Sequence, residues 1–171
     1  LQANARTVAG ELLGAIRCMD PGVTGLRHVS RTDAGVHARQ QWVSFDAVTP
    51  IPPRGWVLGL SRHLPAQIVV RSAAQVPVGF DARGHVVDKT YRYRLHNSAL
   101  RDPFLVGRAW QVSHRLNQNL MAEAAAVLCG THDFAAFRGA SDGRTCTVRT
   151  ISSARFLPDP GFEHTCLFEL T

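Results

Sequence analysis

A strict alternation of residue types over residues 89–95 constrains the fold more than any other feature of the sequence. The apolar side chains Tyr91, Tyr93 and Leu95 alternate with Thr90, Arg92 and Arg94. A period of two places alternate side chains on opposite faces of a β-strand. The segment is therefore predicted to be a strand with one apolar and one polar face.

Two further strand candidates, residues 147–156 and 162–170, lie near the end of the chain. Between them, residues 158–161 read Pro-Asp-Pro-Gly, which is typical of a turn because proline presets φ and glycine adopts positive φ. A short turn joins antiparallel neighbours. This part of the chain is thus predicted to form antiparallel sheet.

The other segments alternate between helical and extended patterns. Thr7 is a candidate N-cap for a helix that ends near Arg17, and Gly130 follows the clearest helix, residues 117–129. The remaining candidates are strands at 26–30, 41–46 and 68–70 and a short helix that Pro52 and Pro53 open and that ends near Arg62. These patterns mix helices with strands and predict the α+β class.

The chain of 171 residues, 45% of them hydrophobic, is long enough to bury a core in one domain or two small lobes. We predict an N-terminal lobe over 1–78 and a C-terminal lobe over 79–171, with mainly antiparallel sheet and helices packed on one face. No apolar run approaches the roughly 18 to 20 residues that span a bilayer. A soluble, cytoplasmic protein without membrane attachment is expected.

The cysteines and histidines do not suggest a metal site. Four cysteines lie far apart without a Cys-x-x-Cys pair, and eight histidines are scattered singly. Zinc sites in proteins are usually marked by closely spaced ligand pairs. We therefore expect no metal, and we interpret the cysteines as reduced structural residues.

The net charge of +6 arises from 19 basic and 13 acidic residues, and every basic residue except Lys89 is arginine. Arginine binds phosphate through two parallel hydrogen bonds and stacks on bases, so this balance favours a structured nucleic acid as partner. A compositional bias of the source genome toward arginine explains the charge equally well. Charge alone leaves both explanations open.

The polar segment Arg31-Thr32-Asp33-Ala34-Gly35-Val36-His37-Ala38 lies between two strand candidates. Loops on a rigid scaffold often carry function. Ordinary turn chemistry is the alternative, with Asp33 accepting backbone hydrogen bonds, Gly35 supplying a positive φ and Arg31 pairing on the surface. Spacing alone favours the turn.

This octapeptide, followed by Gln41, Val43 and Phe45, resembles the signature of the TruA family of tRNA pseudouridine synthases. Three further stretches occur in the family's order: residues 7–12, 80–93 and 130–138. The first stretch lies on the first helix. The second contains the segments Phe-Asp-Ala-Arg and Lys-Thr-Tyr-Arg-Tyr, and the third begins Gly-Thr-His-Asp-Phe. The resemblance covers essentially the whole chain and implies the pseudouridine synthase fold.

The resemblance implies roles for three residues. Asp33 matches the catalytic aspartate, Arg31 matches the arginine that helps to extract the target base, and Tyr91 matches the tyrosine that lies against that base. Each has a plainer alternative. Arg31 can form a surface ion pair of little value, and Tyr91 can be a core aromatic of the sheet.

Isomerising uridine to pseudouridine breaks the N1–C1′ bond and joins C5 to C1′ without redox change, so no cofactor is expected. A single carboxylate can act as nucleophile at C1′ or C6, or as a base at the sugar, and the sequence does not choose among these. Glycoside hydrolysis normally needs two carboxylates. Asp46 and Asp81 are the candidates for a second acid, but solvated structural roles are favoured for both.

Three further aromatic residues and His37 are interpreted as structural. Tyr93 shares a face with Tyr91 and is expected to pack. Phe134 and Phe137 are expected to form a hydrophobic anchor after the helix. His37 is expected to stabilise its loop and not to act as a general base.

The family pattern extends beyond both ends of this sequence. The resemblance implies a strand with a Gly-Trp-Gln segment before the first helix, and a Gly-Asn-x-Phe strand end with a Met-Val-Arg helix after Thr171. In the family that arginine pairs with the catalytic aspartate. The C-terminal lobe is therefore expected to be incomplete. Ser30, where the family usually has glycine, is expected to be tolerated.

The resemblance identifies the leading hypothesis as a tRNA pseudouridine synthase acting in the anticodon stem-loop as a homodimer. The rival hypothesis is a non-catalytic RNA-binding fragment in which Asp33 only shapes a loop. A hydrolase that uses Asp33 with Asp46 is the third.

Overall fold

The computed structural model describes residues 6–139 and 146–171. The chain divides into two compact units, residues 1–87 and 88–171. The predicted lobes, 1–78 and 79–171, remain a prediction about functional domains. Helices and largely antiparallel sheets occur together, so the predicted α+β class is confirmed.

Over residues 6–87, the first unit contains two helices and a short two-stranded sheet. Its elements are α1 (Val8–Met19), β1 (Arg27–His28), β2 (Val43–Ser44) and α2 (Pro53–His63). Thr7 caps α1, because its side chain accepts a hydrogen bond from the N–H of Gly10, and Pro53 opens α2 at a position where a missing N–H costs nothing. Both helices were predicted from these residues.

The core of the first unit lies where α1 meets α2. Ile16 is completely buried, and the other buried residues of this cluster are Leu12, Leu13, Ala15, Val23, Trp56 and Leu60. Phe45 packs edge-on against Trp56 at 5.0 Å between ring centroids. This packing supports β2 and, through it, the loop that precedes β2.

Two predictions for the first unit need correction. The strands that flank the loop are two residues each, shorter than the predicted 26–30 and 41–46. Residues 68–70, predicted to be a strand, are not in one. Val70 packs against the core without a strand partner, and Val69 is exposed. An apolar run predicts burial, but strand formation also requires a neighbour for the backbone.

The second unit is built on a four-stranded sheet, with α3 and a separate hairpin. Its elements are β3 (Tyr91–Asn97), β4 (Trp110–Val112), α3 (Gln118–Ala126), β5 (Gly130–Asp133), β6 (Val148–Ile151), β7 (Ala154–Pro158), β8 (Thr165–Leu170) and short 3-10 helices at Pro103–Leu105 and Ala135–Phe137. The sheet order is β4-β3-β8-β7, and β5 pairs with β6. All these pairings are antiparallel except β3 with β4.

The last strands differ in detail from the prediction. The predicted strand 147–156 is two strands, because Ser152 and Ser153 leave the ladder and donate their N–H groups to the carbonyl of Thr171. The strand predicted at 162–170 begins at Thr165. The turn between β7 and β8 is held by Asp159, whose N–H bonds to the Thr165 carbonyl.

Helix α3 ends earlier than the predicted 117–129. Asn117 caps it by accepting hydrogen bonds from the N–H groups of Asn119 and Leu120. Among the residues that the structure describes, no helix is long and apolar enough to cross a membrane.

Candidate active site

The loop 31–38 connects β1 to β2 in the first unit. The strands pair antiparallel, with Arg27 opposite Ser44 and His28 opposite Val43. Beyond the ladder, the N–H of Val29 bonds to the carbonyl of Trp42 at 3.2 Å. The side-chain amide of Gln41 donates to the carbonyl of Ser30 at 2.6 Å. The two ends of the loop are therefore fixed by hydrogen bonds.

A tight turn presents Asp33. Its main-chain carbonyl accepts the N–H of Val36 at 3.1 Å, and Gly35, the third residue of this turn, has φ of 82°. Ala34 is not in the positive-φ region, so the geometry is that of a type II turn. The predicted positive φ at Gly35 is confirmed. Residues with a Cβ rarely adopt this conformation, so the turn depends on glycine.

The carboxylate of Asp33 and the guanidinium of Arg31 are both exposed. Within residues 6–139 and 146–171, neither group has a hydrogen bond or an ion pair. The surface pairing considered for Arg31 is therefore not formed among these residues. Both side chains are accessible to a large polyanionic ligand.

Asp46 is engaged at the base of the same hairpin. Its two oxygens accept hydrogen bonds from Nη1 and Nη2 of Arg27 at 2.9 and 3.0 Å. The hydrogen bonds from Arg27 lower the pKa of Asp46, so this carboxyl is ionised at neutral pH. A general acid must be protonated. The pairing supports a structural role for Asp46 and argues against Asp46 as the general acid of a hydrolase.

The segment 80–83 lies beside the hairpin. The N–H of Ala82 donates to Oγ of Ser44 at 3.1 Å, and Arg27 reaches the carbonyl of Phe80 at 3.4 Å. Asp81 accepts the N–H of Arg83 at 2.9 Å, which is ordinary turn chemistry. The structure thus brings two of the motif segments together within the first unit.

Asp20 is a buried acid that the sequence did not single out. Only 1% of its surface is exposed, and Oδ2 accepts the N–H groups of Thr49 and Val48 at 2.9 and 2.7 Å. The backbone hydrogen bond from Thr49, with that from Val48, lowers the pKa of Asp20. Asp20 therefore links the end of α1 to the chain that follows β2.

Tyr91 begins β3 in the second unit, opposite Leu170 of β8. Its surface is 52% exposed, so it is not a core aromatic, and its role toward a base remains a prediction. Tyr93, which was expected to pack, is 63% exposed. That expectation was wrong because these tyrosines lie on a sheet face that is open at this end.

The polar face of the same sheet is stabilised by an ion triad. Arg92, Glu169 and Arg155 lie opposite one another on β3, β8 and β7. Glu169 is buried and accepts hydrogen bonds from both guanidinium groups. The hydrogen bonds from Arg92 and then Arg155 lower the pKa of Glu169. The triad fixes the register of the strand that carries Tyr91.

The predicted hydrophobic anchor after α3 is formed only in part. The rings of Phe134 and Phe137 are tilted at 5.9 Å between centroids, and Phe134 is partly buried. Phe137 is 76% exposed, so it does not anchor the segment. The three-residue separation of the two phenylalanines in the sequence predicts that their rings meet. It does not indicate which residues cover them.

Curated proteins from several bacteria are similar to this chain. The tRNA pseudouridine synthase A of Aromatoleum aromaticum is 42% identical over 154 residues, which cover 90% of this chain and 58% of that protein. The same-named protein of Geobacter sp. strain M21 is 39% identical over 164 residues, 96% of this chain and 66% of that protein. That of Halalkalibacterium halodurans is 41% identical, with 88% and 58% covered.

The chain therefore spans about 60% of the length of the curated relatives it matches. No protein-family model matches the sequence. The aligned part covers nearly all of this chain, including the hairpin loop and β3.

Proposed function

This chain belongs to the tRNA pseudouridine synthase A family, and from that premise we propose that it carries the catalytic aspartate of an enzyme that isomerises uridine to pseudouridine in tRNA. The observation that carries the proposal is the loop 31–38. It combines the family's octapeptide with an exposed carboxylate on a turn whose ends are fixed. Catalytic groups held by a rigid scaffold are the usual arrangement.

The proposed reaction needs one carboxylate and no net input of atoms. The N1–C1′ bond breaks, the uracil turns over, and a C5–C1′ bond forms. The C5 proton leaves to solvent while N1 takes up a proton. Asp33 acts as a nucleophile at C1′ or C6, or as a base at the sugar.

Arg31 is proposed to assist extraction of the target base. The base must leave its stack, which costs a few kcal/mol. Arg31 precedes Asp33 by two residues and is exposed on the same loop, so its guanidinium can occupy the gap or hold a flanking phosphate. Tyr91 is proposed to lie against the extracted uracil, and its exposure leaves the ring available for this contact.

The proposed substrate is the anticodon stem-loop of tRNA, recognised mainly through its phosphates and its shape. The net charge of +6, almost all from arginine, supports a polyanionic partner. Action as a homodimer in the cytoplasm is part of the same proposal and rests on the family resemblance.

The competing proposal is a non-catalytic RNA-binding fragment in which Asp33 only shapes its turn, and the net charge of +6 fits this proposal equally well. The two are separated by supplying tRNA tritiated at uridine C5 and measuring tritium release beside RNA affinity. The enzyme proposal predicts release that continues over many turnovers. Binding with a steep salt dependence but without release would support the binding fragment instead.

A further inference from the structure

The sheet of the second unit carries five aromatic side chains on one face. Strand register places Tyr93 opposite Phe168 and Phe168 opposite Phe156, while Trp110 lies opposite Leu95. Residues directly opposite on neighbouring strands share a face, as do residues two apart along a strand. The aromatic face is therefore defined by Tyr91, Tyr93, Trp110, Phe156 and Phe168.

Two aromatic side chains of this face, on β3 and β4, are open to solvent, whereas Leu95 and Val112 on the same face are buried. Tyr93 is 63% exposed and Trp110 is 69% exposed, although tyrosine and tryptophan are usually well buried on sheets. Phe156 and Phe168 are partly buried and stack on each other at 4.8 Å between ring centroids. The phenylalanine pair lies next to Tyr93 on the same face.

Charge on this sheet is arranged so that the aromatic face lacks acidic groups. Within the described part of β3, β4, β7 and β8, the only carboxylate is Glu169, and it lies on the opposite face between Arg92 and Arg155. A polyanion approaching the aromatic face therefore meets no acidic side chain of these strands. RNA phosphates near the aromatic face are therefore not repelled by carboxylates of these strands.

We propose that Tyr93 and Trp110 form a stacking platform for the unpaired bases next to the target uridine. This deepens the proposed function, on which it rests, by naming the part of the substrate that the sheet would bind. Exposed aromatics on a four-stranded sheet stack two or three unpaired bases in a common mode of RNA recognition. Tyr91 receives the target base, and Tyr93, on the same face of β3, receives a neighbour.

The test measures binding of an anticodon stem-loop RNA that carries 2-aminopurine beside the target uridine. Stacking quenches 2-aminopurine fluorescence, so binding and stacking are read in one titration. Tyr93→Ala is expected to raise Kd roughly 5- to 100-fold, the range for loss of one base–aromatic stack, and to relieve the quenching. Trp110→Ala is expected to act in the same direction.

Two variants serve as controls. Tyr93→Phe keeps the ring and is expected to retain both affinity and quenching. Phe104→Ala removes an equally exposed aromatic from the 3-10 helix, outside the sheet, and is expected to bind as the wild-type chain does. Circular dichroism establishes that each variant is folded.

The proposal is overturned if Tyr93→Ala and Trp110→Ala bind and quench as the wild type does. It is also overturned if they alter only the oligomeric state, because the aromatic face would then contact a second copy of the chain. Equilibrium binding requires no turnover. The binding result can therefore be interpreted even if Asp33 is not catalytic. If Tyr93 and Trp110 do not stack on bases, tritium release still tests the role of Asp33.

Discussion

Arg27 and Asp46 form a two-point ion pair at the base of the hairpin that carries Asp33. The pair joins Arg27 of β1 to Asp46, two residues beyond the end of β2, and it holds Asp46 ionised. The ion pair stabilises the loop. Because Asp46 is ionised, it is unsuited to donate a proton.

We predict that Asp46→Asn keeps the tritium-release rate within about threefold of wild type, because the amide oxygen still accepts from Arg27 and exposed ion pairs contribute little. The measurement is the steady-state rate of release from tritiated tRNA. A loss as large as that of an Asp33 variant would contradict the structural role and revive a two-carboxylate mechanism.

Asp20 gives a prediction for the pH dependence of stability. Because its pKa is lowered in the folded chain, its contribution is fully present above the unfolded value of about 3.9 and is lost as the pH falls through the folded pKa. Asp20→Asn is therefore expected to be clearly less stable than wild type at pH 7, with the difference shrinking below about pH 4.

Urea unfolding of both chains between pH 3 and pH 7 measures this difference. Asp88→Asn, at an exposed position, is the matched control and is expected to follow the wild-type curve. The stability difference between Asp20→Asn and wild type could instead stay constant across this range. That result would show that the charge of the Asp20 carboxylate is not what stabilises its hydrogen bonds with residues 48 and 49.

The core of the first unit gives a direct test of packing. Ile16 is completely buried between α1 and α2, so Ile16→Ala is expected to lower the free energy of unfolding by about 2–5 kcal/mol. Val8→Ala, on the exposed side of α1, is expected to change it by less than about 0.5 kcal/mol. Chemical denaturation measures both, and equal effects would contradict the assigned core.

Gly35 tests whether the turn positions the catalytic group. Gly35→Val forces a β-branched residue into φ of 82°, which is expected to distort the loop and lower the release rate at least about tenfold. Gly35→Asn is expected to retain more activity, because asparagine tolerates positive φ. RNA affinity is measured in parallel, and similar rates for the two variants would show that the turn geometry is not required.

The sequence predicted the helices better than the strands. Thr7 and Pro53 mark helix starts through local chemistry that needs no distant partner. Residues 68–70 have the composition of a strand but do not pair with another strand. Ser152 interrupts a segment that was predicted to be one continuous strand. Pairing depends on contacts between distant residues, which a local pattern does not contain.

The same reason explains why some residues of the candidate site were predicted from the sequence and others were not. The Asp33 loop and the positive φ of Gly35 follow from a contiguous motif. Asp20 and Glu169 escaped notice because each is a single acid whose partners lie far away in sequence. The exposure of Tyr93 and its alignment with Phe168 likewise required the strand register.

Tritium release by Asp33 variants tests the central claim most directly. Asp33→Asn and Asp33→Ala are compared with the wild-type chain and with the control Asp88→Asn, all on tRNA tritiated at uridine C5, with RNA affinity measured for each. Both Asp33 variants are expected to bind RNA but to lose roughly a thousandfold or more of the release rate, while the control retains it. Release that persists in both Asp33 variants would contradict the assignment of Asp33 as the catalytic residue.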